Sequence, residues 1–168
     1  MLVLGVDPGL RQTGYALLRG RADGVELVDT GLIRTDEDAP LPRRLQVIYR
    51  GMQEVLGRHR PVQVAVEDLY TARCSPRTAI LMGHVRGVVC LAAAERAIEV
   101  VALPPAAVKQ AIAGFGGASK AQVQAAVGRL LRRPAPADSH VADAVAVSLT
   151  ALSRRGVPLR PAAAGVVR

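Results

Sequence analysis

Three β-type runs crowd into the first 33 residues, and after them every strand-length run is separated from the next by a helix-length segment. Met1 to Val6 is apolar, rich in branched residues, and ends at Asp7-Pro8-Gly9, which reads as a buried strand running into a turn. Thr13 to Leu18 and Val25 to Ile33 follow, joined through Gly20 and an Asp23-Gly24 turn signal, close enough for antiparallel meander pairing. Leu41, Leu45, Ile48, Met52, Val55 and Leu56 then step at helical spacing as far as Pro61. Val62 to Glu67 reads as a fourth strand, and Ser75-Pro76 opens a second helix that should run to about Ala97. Glu99 to Leu103 is a fifth strand, followed by a short helix through Ala113. Ser119-Lys120-Ala121-Gln122 is a capping box for the next helix, and a last one runs from Asp138 through Leu152. Helical connections into the fourth and fifth strands favour parallel pairing with the sheet centre. The expected fold is α/β, a five-stranded mixed sheet with helices on both faces.

A chain of 168 residues suits one domain, here 1–153. Residues 154–168 carry four Arg, two Pro and no acid, and are expected to form a basic, disordered tail. With no Trp, one Phe and three Tyr, the chain lacks the aromatic platforms that stack single-stranded nucleic acid base after base. The net charge of +8 is unevenly spread. From Val100 to Ala137 there is no acid, while Lys109, Lys120, Arg129, Arg132 and Arg133 all fall inside. A one-signed segment of that length fits a polyanion, although a solvated face in an alkaline protein reads the same way. Cys74 and Cys90 have no metal-ligand spacing and are expected to be reduced. No basic leader precedes Asp7, and the longest apolar run, Val88 to Ala94, is far short of a bilayer span. A cytoplasmic protein without membrane attachment is expected.

Asp7 ends the first strand and Glu67 the fourth. If those strands are parallel neighbours, both carboxylates emerge at one carboxyl edge of the sheet, where open α/β sheets place their sites. His140 and Asp143 lie three residues apart and share a face near the start of the last helix. Gathered at that edge, three carboxylates and an imidazole form a site for divalent cations, which relieve carboxylate repulsion and can activate a phosphodiester. Each residue alone has a duller reading. Asp7 before Pro-Gly can be a turn former, His140 a helix-terminus histidine, and Asp138 a helix cap. Asp143, between alanines in an apolar helix, is harder to dismiss, because an unpaired carboxylate is costly there.

At these residues the sequence resembles a known family. Leu4-Gly5-Val6-Asp7-Pro8-Gly9 with Thr13-Gly14-Tyr15 is similar to the opening of RuvC-type Holliday-junction resolvases. Val66-Glu67 with Tyr70, Gly83 to Gly87, Pro104 to Gln110, Lys120 to Val123 and His140 to Ala146 match later blocks in order. The resemblance implies a ribonuclease H-like fold and a homodimeric crossover junction endodeoxyribonuclease making symmetric, metal-dependent incisions in four-way DNA. It further implies Mg²⁺ or Mn²⁺ at Asp7, Glu67, His140 and Asp143, with two ions per site. Many members carry aspartate where this chain has His140. Lys120 would stand by the scissile phosphate, with Lys109 holding the strand. Tyr70 would stack on an unpaired base near the crossover, and Arg73 and Arg77 would contact DNA beside it. The RuvA-RuvB branch-migration complex would be a partner. Rival readings are another ribonuclease H-like nuclease acting on RNA, an actin-like ATPase or sugar kinase, and a non-enzymatic DNA-binding module.

Overall fold

The computed structural model describes residues 1–68 and 75–162. In chain order the elements are β1 (Leu2–Asp7), β2 (Gln12–Arg21), β3 (Gly24–Arg34), α1 (Leu41–His59), β4 (Gln63–Glu67), α2 (Pro76–Ala94), β5 (Glu99–Leu103), α3 (Pro105–Ala113), α4 (Lys120–Leu131) and α5 (Ser139–Arg154). The five strands form one sheet in the order β3-β2-β1-β4-β5. The first three pair antiparallel, and β1, β4 and β5 pair parallel, as the short and the helical connections respectively require.

Central position explains why β1 is apolar on both faces. Val3 faces a core built with α3, α4 and α5, where Val127, Val145, Leu149 and Leu152 are buried. Leu4 and Val6 face a second core with α1 and α2, through Ile48, Met52, Leu56, Val85 and Val89. Fully burying each such side chain contributes about 1.5–3 kcal/mol. The helix ends follow local chemistry. Ser75 caps α2 by accepting from the Thr78 N–H, and the Ser119–Gln122 capping box is complete in both directions. Expected to continue to about Ala97, α2 instead ends at Ala94: Ala97 turns left-handed (φ 54°) to deliver the chain into β5.

Two glycines set the position of α5, which is buried along most of its length. A Cβ on Gly5 would stand 2.2 Å from the Ala144 carbonyl, and one on Gly14 would stand 2.3 Å from the His140 carbonyl. Both strands therefore need glycine where the helix backbone crosses them. Ser148 donates to the Val3 carbonyl at 3.0 Å, so the polar group buried at this crossing is satisfied.

The stretch expected to be a disordered tail is docked as far as Ala162. Val157 is buried in the α5-side core, the Val25 N–H donates to the Arg160 carbonyl, and the Ala162 N–H donates back to Val25. Composition alone missed this because two of the arginines are tied down rather than left to solvent: Arg155 pairs with Glu99 and donates to Gln63, and Arg160 donates to the Asp23 carbonyl at 2.9 Å, beside the backbone contacts. By length and composition α2 could cross a membrane; one side of it, with Val85, Val89, Ala92 and Ala93, is buried in the α1-side core. Cys90 is half-buried and free.

Candidate active site

Because β1 and β4 run parallel with Val6 opposite Val66, their last residues Asp7 and Glu67 leave the sheet side by side at one edge. The Asp7-Pro8-Gly9 turn is closed by Thr13, whose hydroxyl donates to the Gly9 carbonyl at 2.8 Å. The start of α5 descends onto this edge. Asp138 caps it by accepting from the His140 and Val141 N–H groups at 2.9 and 3.3 Å. That cap, with Gly14 beneath, brings His140 Nδ1 to 2.7 Å from Asp7 Oδ2. One turn on, Asp143 accepts from Lys120 Nζ at 2.6 Å, which joins the first residue of α4 to the site. Lys109 on α3 lines the same cleft of about 230 Å³ as Glu67, Lys120 and Asp143.

The electrostatics are those of crowded carboxylates. Burial, then the charges of Asp7 and Asp143, push Glu67 up to about 7. Burial also raises Asp143, against the pull of Lys120. The hydrogen bond with Asp7 holds His140 above its ordinary value, against burial. Burial works to lower Lys120, but its bond to Asp143 prevails and it stays firmly cationic.

Five of the sequence-derived residues, Asp7, Glu67, Lys120, His140 and Asp143, thus meet at one edge, with Lys109 across the cleft. Among the described residues, no three acids or histidines are grouped as metal ligands. Asp7 instead leans on His140, and Asp143 on Lys120. The donors nonetheless fit a hard divalent cation. They are carboxylate oxygens, and burial first, then the charges of Asp7 and Asp143, disfavour Glu67 as an anion, a cost that a cation would relieve. Arg77 is exposed on the first turn of α2. Tyr70 and Arg73 lie outside the described residues. Sequence reasoning missed Gly5 and Gly14 as positioning residues, although a glycine inside a strand already signals close backbone approach.

Comparison with known proteins agrees with this geometry. A family model described as crossover junction endodeoxyribonuclease RuvC matches residues 3–151. The crossover junction endodeoxyribonuclease RuvC of Pelotomaculum thermopropionicum is 44% identical over 150 residues, covering 89% of this chain and 91% of the relative. The structure of Thermus thermophilus RuvC superposes with a TM-score of 0.85 at 36% identity, covering 94% of this chain and 98% of that one. The same protein in complex with a Holliday junction substrate also gives 0.85 at 36% identity, over 93% and 96% of the two chains. The mixed sheet with its flanking helices is accordingly a ribonuclease H-like fold. With the match running from β1 into α5, this chain belongs to the RuvC family of crossover junction endodeoxyribonucleases.

Proposed function

We propose that this chain resolves four-way DNA junctions in recombination and repair, by hydrolysing one phosphodiester on each of two symmetric strands. The observation that carries the reading is the emergence of Asp7 and Glu67 side by side, flanked by the Lys120–Asp143 pair. RuvC-family enzymes are metal-dependent nucleases. Asp7, Glu67, Asp143 and His140 are the residues that would hold Mg²⁺ or Mn²⁺, with room in the donor count for two ions, and the metal would supply charge neutralisation and an acidified water.

The remaining chemistry belongs to the protein. Lys120 and Lys109 offer two ammonium groups to the phosphate entering between them. Asp7 fixes the His140 ring, so that in its neutral form Nδ1 carries the proton and Nε2 the lone pair. Tyr70, three residues past Glu67, would stack on a base unpaired at the crossover, with Arg73 and Arg77 on the neighbouring backbone.

Symmetric cutting calls for a homodimer, and α2 carries a face suited to one. Ile80, His84, Gly87, Leu91 and Ala94 are all exposed and recur at alternating steps of four and three, the spacing of a coiled-coil seam. Among the described residues, nothing beyond the helix's own adjoining backbone and chain neighbours lies within 4 Å of a Cβ placed on Gly87, so a second helix can approach closely there. A twofold axis through this seam would place the same patch on both protomers. A cytoplasmic location beside the DNA, and a handover from the RuvA-RuvB branch-migration complex, complete the reading.

The test is cleavage of a synthetic four-way junction, with products mapped on all four strands, with and without divalent metal, for wild type and Asp7→Asn. Paired symmetric nicks that need metal and Asp7 are expected. Equal cutting of duplex or RNA hybrid would refute the reading.

A further inference from the structure

The described surface carries basic side chains that the catalytic cleft does not use. Arg34, Arg129, Arg132 and Arg133 are exposed, and none of their guanidinium groups has a hydrogen-bond or ion-pair partner among the described residues. Their placement follows from the topology. Helix α4 starts at the site, with Lys120 on Asp143, and also packs against β3 at the opposite border of the sheet. Its far end cannot stray from the active edge. Arg133 lies five positions before Asp138, the cap of α5, a reach of at most about 18 Å. The helix therefore lies across the strands, with its basic end on the β3 side.

β3 contributes to the same region. It runs in the direction of β1, with Arg34 opposite Gln12, so Arg34 stands at the edge where Asp7 emerges. Ile33 packs on Gly51 of α1, and strand alternation turns Arg34 to the other face, the one that α4 covers. The α4 part of this surface comes from a segment, Val100 to Ala137, without an acid, while Asp36, Glu37 and Asp38 follow Arg34 on the β3 side.

We propose that Arg34, Arg129, Arg132 and Arg133 form a second phosphate-binding track that holds a duplex arm of the junction at a distance from the cut. Twelve residues of helix from Lys120 to Arg132 span about 18 Å. At about 3.4 Å per base pair the contact falls about five base pairs from the scissile phosphate. The track reads no bases. It orients the arm so that the strand enters between Lys109 and Lys120 at a fixed angle, as backbone contacts do in other protein–DNA interfaces. The inference rests on the junction-resolving reading.

The experiment measures the salt dependence of affinity, without divalent metal, for two four-way junctions. One is unmodified. The other carries neutral methylphosphonates four to six base pairs from the crossover. The proteins are wild type, the fourfold variant Arg34→Gln, Arg129→Gln, Arg132→Gln and Arg133→Gln, and the matching fourfold Arg→Lys variant. Each lost phosphate contact lowers the log–log salt slope by about 0.9, so the Gln variant should lose about 3 to 4. The methylphosphonates should lower the wild-type slope and leave the Gln variant unmoved, and the Lys variant should keep the wild-type slope, which separates lost charge from misfolding. A wild type indifferent to the methylphosphonates overturns the track, and so does a Gln variant with an undiminished slope. Failure of wild type to bind the unmodified junction overturns the junction reading instead, and the track with it.

Discussion

His140 Nδ1 stands 2.7 Å from Asp7 Oδ2, so the first strand and the last helix share one hydrogen bond at the centre of the site. An Asp7 that accepts from Nδ1–H leaves the Nε2 lone pair of the neutral ring facing outward. Imidazole suits the softer transition metals better than Mg²⁺, which prefers oxygen and keeps much of its water. Wild type is therefore expected to cut faster in Mn²⁺ than in Mg²⁺ at equal concentration, and His140→Asp to narrow that ratio. Single-turnover rates in the two metals at one alkaline pH decide it. An unmoved ratio would mean that the ring carries protons without touching metal.

Glu67 sits above its ordinary value, at about 7, through burial and then two acidic neighbours. Between about 4.5 and 7 the folded state binds a proton that the unfolded chain has lost, so stability in chelator falls as pH rises through that window. The full effect is about 3 kcal/mol at most, and it is complete above pH 7. Glu67→Gln should flatten this slope and be the more stable protein at pH 8, while cutting nothing. Denaturant titrations in chelator from pH 5 to 8 test it, and a variant with the wild-type slope would disprove the assignment.

Gly14→Ala places a methyl 2.3 Å from the His140 carbonyl, against backbone that has nowhere to go. Overpacking of this kind costs about 1–3 kcal/mol, and the strain falls on the turn of α5 that carries His140 and Asp143. Junction affinity should hold while cleavage drops at least tenfold. Equal loss of both would point to general unfolding, which a melting curve on the same sample identifies.

The seam on α2 is open to direct challenge. Leu91 is 53% exposed and Ile80 62%, so a charge at either is harmless to a monomer. In a twofold helix pair, Leu91→Glu buries two carboxylates near each other. Light scattering should show dimers for wild type and monomers for the variant, with melting temperature little changed. A variant that stays dimeric places the interface elsewhere.

Much of the site was legible in the chain because its chemistry sits at ends of elements. Asp7 and Glu67 close two apolar runs, and parallel pairing alone makes them neighbours. The Ser119–Gln122 capping box fixed the start of α4, hence the place of Lys120 in its first turn. The partner of Lys120 was not legible: its bond to Asp143 depends on how α4 lies across the sheet, which no local pattern encodes. The docked segment after α5 escaped for a similar reason. Its hold on Val25 is made by backbone groups, and these are the same in every sequence. Ala97 shows the limit of periodicity, since α2 stops where the chain must turn into β5 while its residues would tolerate another turn.

The bond between Asp7 and His140 joins residues 133 apart in the chain. During synthesis at about 5–20 residues per second, roughly 7 to 27 seconds pass between the emergence of the two. Through that interval a nascent chain can build the hairpins and even the parallel strands, with Asp7 and Glu67 already adjacent, yet it holds only half a site. Asp143, the residue on which Lys120 rests, arrives later still. A chain that stops before α5 thus lacks His140 and Asp143, and with them the partners of Asp7 and Lys120.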